Sequence, residues 1–214
     1  MRLTKFGHAC VRIEHEGSTL VLDPGVFTDA AAVDGADAVL VTHEHADHYE
    51  VERLLRADAP VFTISAVAEQ VRADSPELAE RLTVVTPGEQ LTVAGVPVEV
   101  VGERHAVIHP EFPRFDNSGF VLTLGDQRVY HPGDALTPPP APVDLLLAPV
   151  SAPWLKVSEA LDFVREVGAP RSLGIHDRVY SDAALGMLDG HMAKFLEATG
   201  QEFTRIPDGT DLPA

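Results

Sequence analysis

The sequence predicts a layered α/β domain in which two sheets lie face to face and helices cover their outer sides. Three observations predict it. Short β-branched runs separated by turn residues dominate the 214 positions, amphipathic stretches sit between them, and the first half of the pattern returns in the second. "CVRIEHEGSTLVLDPG" is echoed by "FVLTLGDQRVYHPGD", "DAVLV" by "DLLLA", and "APVFTIS" by "APRSLGI", at an offset of roughly 107 to 110 positions. Each half reads as a hairpin, a further strand, a loop, a helix and another strand. Two such units stack sheet on sheet, so their polar loops meet along one edge. A single domain over 1–214 is expected, with halves at about 1–100 and 101–214.

In chain order, strands are expected at "CVRIEH", "STLVLDP", "ADAVLVT", "PVFTIS", "LTVVTP", "EQLTVAG", "VPVEVVG", "GFVLTLG", "QRVYHPG", "DLLLAPV", "RSLGIH" and "EFTRIP", where β-branched residues gather between turn residues. Turns the size of "EGS" and "GDQ" make hairpins of their neighbours. Helices are expected at about 49–57, 65–82 with a break at Pro76, 158–167 and 182–199. In "SEALDFVREV", Ser158 is placed to cap the start, and Leu161, Val164 and Val167 form an apolar stripe to lie against a sheet.

Composition narrows the functions. With 45% hydrophobic residues the chain can bury a core of its own. Sixteen Lys+Arg against 33 Asp+Glu leave a formal charge of −17, which repels phosphodiester backbones and anionic membrane surfaces. Nucleic acid and membrane are therefore not expected as partners; a small-molecule substrate is, and a homo-oligomer stays open. Charges break up "MRLTKFGHACVRIEHEG" before any signal-like apolar core forms, and the apolar stretch around "VDLLLAPVSAPWL" is short and interrupted by proline, so a cytoplasmic address is expected. Cys10, the single cysteine, sits in an alternating strand pattern and reads as a buried, inert thiol.

One stretch exceeds what a solvated loop needs. "THEHADHYE", residues 42–50, follows the apolar run "ADAVLV" and holds His43, His45, Asp47 and His48 within six positions. At this composition, chance produces H-x-H-x-D-H in roughly two of a thousand such chains. In an extended segment His43 and His45 project to the same side and can reach one ion at about 2.0–2.1 Å. Asp47 and His48 follow where the chain turns into a helix, displaced far enough to reach a second ion. Four donors do not complete two coordination shells, so further ligands are expected at strand ends facing the same edge. His105 after "VPVEVVGER", Asp134 after "QRVYHPG" and His176 after "RSLGI" meet that condition. His109 in "RHAVIHP" competes with His105, which is preferred because it is nearer the strand end.

These residues, from "FGHAC" through "LVLDPG", "THEHADH", the histidine at 105, "YHPGD" and "GIHD", resemble the metallo-β-lactamase superfamily of metallo-hydrolases over nearly the whole chain. The resemblance implies a four-layer αββα sandwich, two mostly antiparallel sheets with the site on one edge. It also implies one metal held by His43, His45 and His105, a second held by Asp47, His48 and His176, and Asp134 bridging both. "GHAC" and "NSGFVL" are similar to the compact branch that includes the L-ascorbate-6-phosphate lactonase. Oxygen-reducing diiron relatives resemble this pattern with glutamate at the second ligand position; here that position is His45, and Glu44 points the other way, which favours hydrolysis.

Two cations about 3.5–4 Å apart would acidify a shared bridging water for attack on a carbonyl or phosphoryl centre. Asp47 and Asp134 are the expected catalytic carboxylates, Asp47 orienting the hydroxide or taking its proton. His8, His109, His131 and Tyr49 are candidates to protonate the leaving group. Asp23, ending "TLVLD", is placed to hold the outer nitrogen of a ligating histidine. The loop "HPEFPRFDNSG" reads as a substrate wall, Arg104, Arg114 and Arg178 as anion holders, and Trp154 as a rim residue. Zn2+ is the default for hydrolysis, with Mn2+, Fe2+ and Ni2+ compatible with the same donors. The expected substrate is a small ester, lactone or phosphorylated metabolite; a phosphodiesterase or nuclease, or a metal-binding protein without turnover, are the alternatives.

Overall fold

Val11 and Ile13 alternate with Arg12 and Glu14, and Leu20, Val21 and Leu22 form an apolar run, on either side of Glu16 and Gly17, whose left-handed φ values of 49° and 88° suit a two-residue hairpin turn. In the computed structural model, which describes residues 1–213, that hairpin is β2 (Cys10–His15) and β3 (Ser18–Leu22). β1 (Arg2–Gly7) flanks it, and β4 (Ala38–Val41), β5 (Val61–Thr63) and β6 (Leu82–Val84) extend the sheet on the other side. The second sheet runs in order from β7 (Gln90–Val93) through β8 (Val96–Val101), β9 (Gly119–Leu124), β10 (Gln127–His131), β11 (Leu145–Pro149) and β12 (Arg171–Ile175) to β13 (Glu202–Thr204). β14 (Thr210–Asp211) returns to the first sheet beside β1.

The sheets are mixed rather than mostly antiparallel. Each contains a run of antiparallel pairs, β14-β1-β2-β3 and β7-β8-β9-β10, followed by a run of parallel pairs, β3-β4-β5-β6 and β10-β11-β12-β13. Tight turns join four of the six antiparallel pairs, β1–β2, β2–β3, β7–β8 and β9–β10. In four of the six parallel pairs a helical crossover carries the chain back along its sheet: α1 (Val51–Ala57) between β4 and β5, α2 (Ser65–Asp74) between β5 and β6, α3 (Val157–Val167) between β11 and β12, and α4 (Asp182–Leu196) between β12 and β13; longer loops join β3 to β4 and β10 to β11. The chain changes sheet between Val84 and Gln90, ahead of position 100.

Alternation sorts side chains to two faces. Leu20, Leu22 and Leu40 pack between the sheets with Val98, Phe120, Leu122, Leu147 and Leu173. Their neighbours Val21, Val39 and Val41 face the other way, against Leu54 of α1 and Val67 and Val71 of α2. On the second sheet Val121, Tyr130 and Leu146 meet Leu161, Phe163 and Val164 of α3 and Leu188 and Met192 of α4. Ser158 does not cap α3. It lies inside the first turn, and Glu159 reaches back instead, its Oε2 accepting the Lys156 N–H at 2.9 Å. Cys10 is fully buried and burial pushes its thiol far up. Among the described residues, no helix is long and apolar enough to cross a membrane.

Candidate metal centre

β1, β3, β4, β8, β10, β11 and β12 all point one way in their sheets, and chemistry-bearing residues follow the carboxyl ends of nearly all of them. His8 follows β1, Asp23 follows β3, His43–His48 follow β4, His105 follows β8, Asp134 follows β10 and His176 follows β12. Three of them hold left-handed backbone, with φ of 51° at His8, 47° at Asp23 and 56° at His176. Such conformations cost on the order of 1–3 kcal/mol at a non-glycine residue and persist where the surroundings enforce them. Gly25 lets the ligand loop close up: a Cβ there would fall inside the Asp47 carbonyl and against the His48 nitrogen.

The seven residues named from sequence converge. They form two clusters, His43, His45, His105 and Asp134 in one, and Asp47, His48 and His176 with His8 in the other, with the donor atoms of each cluster within 4.8 Å of one another. Asp134 lies between them. Its Oδ1 is 3.1 Å from His48 Nε2, and its Oδ2 is 3.3 Å from His105 Nε2 and 3.2 Å from His176 Nε2. Asp47 Oδ2 is 3.4 Å from His176 Nε2 and, at 26% exposure, is the more open of the two carboxylates. His109 is left outside: exposed, its ring is 5.7 Å from that of Phe112 and its Nδ1 accepts the Glu111 N–H.

Whether the donor set suits cations is tested by its unmet bonds. His48 Nε2, His105 Nε2, His176 Nε2 and Asp134 Oδ1 are buried and form no hydrogen bond, although oxygen and nitrogen approach within 3.1–3.3 Å across the site. They converge without bonding to one another, and a buried polar atom left so costs about 1–3 kcal/mol. Charge points the same way. Burial opposes ionisation of Asp134, but the facing imidazoles of His176, His48 and His105 hold its carboxyl well below the usual range. Asp47 is likewise held low against burial, by the imidazoles of His176 and His8 beside it. In return, and again against burial, Asp134 and Asp47 raise His176 to about 9, and Asp134 and Asp23 raise His48 well above its ordinary value. Burial drives His43 and His45 the other way. The carboxylates thus demand positive charge at their centre, and the imidazole donors suit divalent cations.

A second layer fixes which nitrogen faces inward. His48 Nδ1 donates to Asp23 Oδ2 at 2.7 Å, His105 Nδ1 to the Ala106 carbonyl at 2.6 Å and His176 Nδ1 to the Ser151 carbonyl at 2.5 Å, so each presents Nε2 to the site. Asp23 also accepts the Thr42 N–H and hydroxyl at 2.8 and 2.7 Å. Asn117 ties the Asp134 loop, accepting the Asp134 N–H at 3.0 Å and donating to the Pro132 carbonyl at 2.9 Å. The Trp154 indole donates to Asp134 Oδ2 at 3.2 Å. Thr42, Asn117 and Ser151 were not expected from sequence; only the strand end before the histidine motif and the "NS" before β9 hinted at the first two.

The remaining candidates do other work. His131 Nε2 donates to the Ala9 carbonyl at 2.9 Å and its Nδ1 accepts the Gly133 N–H at 3.1 Å, so it braces loops and faces no open space. Tyr49 is buried among Val41, Leu54 and Val67, and burial raises its phenol to about 12. Arg104 pairs with Asp116 at 2.6 Å, Arg178 pairs with Asp208, and Arg114 Nε donates to the His105 carbonyl at 2.9 Å.

Known proteins are similar to this chain in sequence and fold. The family model for the beta-lactamase superfamily domain matches residues 2–176. Protein Rv0786c of Mycobacterium tuberculosis is 37% identical over 97% of each chain. A UPF0173 metal-dependent hydrolase of Salinibacter ruber is 33% identical over 70% of this chain and 72% of its own. Among solved structures, Igni18, a metallo hydrolase of Ignicoccus hospitalis, superposes with a TM-score of 0.75 at 18% identity, covering 99% of this chain and 97% of its own. With its fold, its strand-end histidines and these matches, the chain belongs to the β-lactamase superfamily and, within it, to the UPF0173 metal-dependent hydrolases.

Proposed function

We propose that this chain is a dinuclear metal-dependent hydrolase acting on small, uncharged esters or lactones. The observation that carries the reading is the set of inward, unbonded donors: three imidazole Nε2 atoms and one oxygen of Asp134, buried within two adjoining four-residue clusters. His43, His45 and His105 would hold one cation, Asp47, His48 and His176 the other, and Asp134 would face both. Two divalent cations, zinc by default, would supply Lewis acidity and bring a shared water toward a pKa of about 7.

The protein's own groups do the rest. Asp47, the more open carboxylate, is placed to take or orient the proton of that water. Trp154 and Asn117 hold Asp134 so that it does not turn away as charge develops. The rim supports an uncharged substrate. Val26, Phe27, Val107, Phe112 and Val179 are exposed on the loops that carry the donors, while Arg104 and Arg178 are already paired with carboxylates. Those pairings weigh against a phosphorylated metabolite.

The test is a panel of aryl esters, lactones, phosphodiesters and RNA offered to the zinc-loaded protein, with Asp134→Asn as control. Ester or lactone hydrolysis is expected, falling on the order of 100-fold or more in the control. Cleavage of RNA or phosphodiesters alone overturns the reading. Full zinc occupancy with no turnover of any substrate favours a binding protein.

A further inference from the structure

The second cluster holds one side chain more than the ligand set uses. His8 lies beside Asp47, His48 and His176, fully buried, its Nε2 3.1 Å from Asp47 Oδ2. It could be a fourth ligand or something else, and its other nitrogen decides. His8 Nδ1 accepts the backbone N–H of Arg178 at 3.2 Å. A ring nitrogen that accepts a hydrogen bond carries no proton, so in the neutral ring the proton is on Nε2. A protonated Nε2 donates and does not coordinate. Turning the ring over would exchange both nitrogens for carbons and break both contacts. We propose that His8 is a positioning residue, a hydrogen-bond donor that tethers Asp47 for the second cation rather than a ligand of it. This rests on the dinuclear reading above.

The local fold is built to hold that tether. Gly7, at φ 121°, lets the chain pass so close to Phe27 that a Cβ would strike its carbonyl, and His8 follows in left-handed backbone. The His8 carbonyl accepts the His176 N–H at 2.9 Å, so one residue joins the turn after β1 to the loop after β12. The ring is confined between His176, 3.8 Å away between centroids, and Phe27 at 5.2 Å. Asp47 needs an anchor because it is partly open to solvent, and no backbone N–H holds its carboxylate. The oxygen His8 engages, Oδ2, is also the one that faces His176 Nε2 at 3.4 Å and His48 Nε2 at 4.0 Å, so the tether fixes the ligating oxygen itself and leaves its second lone pair to bind.

The experiment compares wild-type, His8→Gln and His8→Phe proteins at full length. Gln can place an N–H near the same oxygen; Phe keeps the ring and removes the donor. Stepwise zinc affinities are read by competition with a chromophoric chelator, and histidine ring 15N–1H correlations are recorded on the zinc-loaded wild type. The first zinc is expected to bind all three alike. The second should bind His8→Phe about 10- to 100-fold more weakly than wild type, with His8→Gln recovering most of the loss. In the wild-type spectrum His8 Nε2 should carry a proton. Two zincs bound equally tightly by all three proteins, or an unprotonated, metal-shifted His8 Nε2, overturns the positioning role and leaves the dinuclear reading standing. A wild-type protein that takes up a single zinc overturns both.

Discussion

Asp23→Asn tests the outer layer of the site without changing its size. Asp23 is fully buried and its two oxygens accept three donors, the Thr42 N–H at 2.8 Å, the Thr42 hydroxyl at 2.7 Å and His48 Nδ1 at 2.7 Å. The asparagine oxygen can keep the Thr42 N–H. Its amide nitrogen then faces His48, and two donors cannot share a bond, so His48 must move its proton to Nε2. That atom is the one aimed at Asp134, and it ceases to be a ligand. Losing such support typically weakens a metal site 10- to 100-fold, about 1.4–2.7 kcal/mol. The metal-free fold should lose about 1–3 kcal/mol for the broken bond. Asp23→Ala leaves all three donors unpaired and should cost several kcal/mol on the same scale. Stepwise zinc titration gives the first quantity and guanidinium unfolding of chelated protein the second. Wild-type affinity for the second zinc in Asp23→Asn would refute the tautomer argument.

Two further outcomes follow from the site's geometry and charge. His176 is raised in the folded, metal-free chain from 6.5 to about 9, so the stability it contributes is full below about pH 6.5 and is lost as pH rises through 9; melting of chelated protein should fall across that window, while zinc affinity should rise across it because binding displaces the same proton. Gly25→Ala should disrupt the ligand loop, since a Cβ there meets Asp47 and His48 backbone, and should cost both zinc uptake and several kcal/mol of stability; Gly186→Ala, on the exposed face of α4 with nothing near, should instead stabilise by about 0.5–1 kcal/mol, as thermal melting would show.

The sequence exposed whatever depends on side-chain type and spacing. β-branched runs mark twelve of the strands, and the crowded motif at 43–48 requires partners of the kind that His105, Asp134 and His176 supply. β1 escaped because its middle is Thr4 and Lys5, polar by type yet buried; Lys5 is accommodated by Asp177 and Asp208, which stand far along the chain. β14 is two residues long and exists only as an edge on β1. Other parts of the site were illegible for a simpler reason. The partners of His105 and His176 are the Ala106 and Ser151 carbonyls, and every residue has a carbonyl. His8 was visible as a histidine after glycine, but its role turns on the N–H of Arg178, 170 positions away. Parallel pairing could not be read because the hairpins and the crossovers use strands of the same composition.

The internal repeat explains why the donors need both halves of the fold. Asp23-Pro24-Gly25 and His131-Pro132-Gly133 fill the same step of the repeat, each just past the same hairpin. In the first half the carboxylate stands at the strand end and braces His48; in the second the strand-end residue is a brace too, His131, and the carboxylate moves on to Asp134, inside the site. β4 ends in four donors, whereas its counterpart β11 ends in Ser151, which supplies a carbonyl, and Trp154, which supplies an indole N–H. β5 ends in no donor, whereas its counterpart β12 ends in His176. Each half therefore keeps at one strand end what the other lacks, and neither cluster can be filled from one half alone. Cations held there would bond across the seam between the two sheets, so binding and the docking of the halves draw on the same free energy, worth about 2.7 kcal/mol at a hundredfold excess over the dissociation constant.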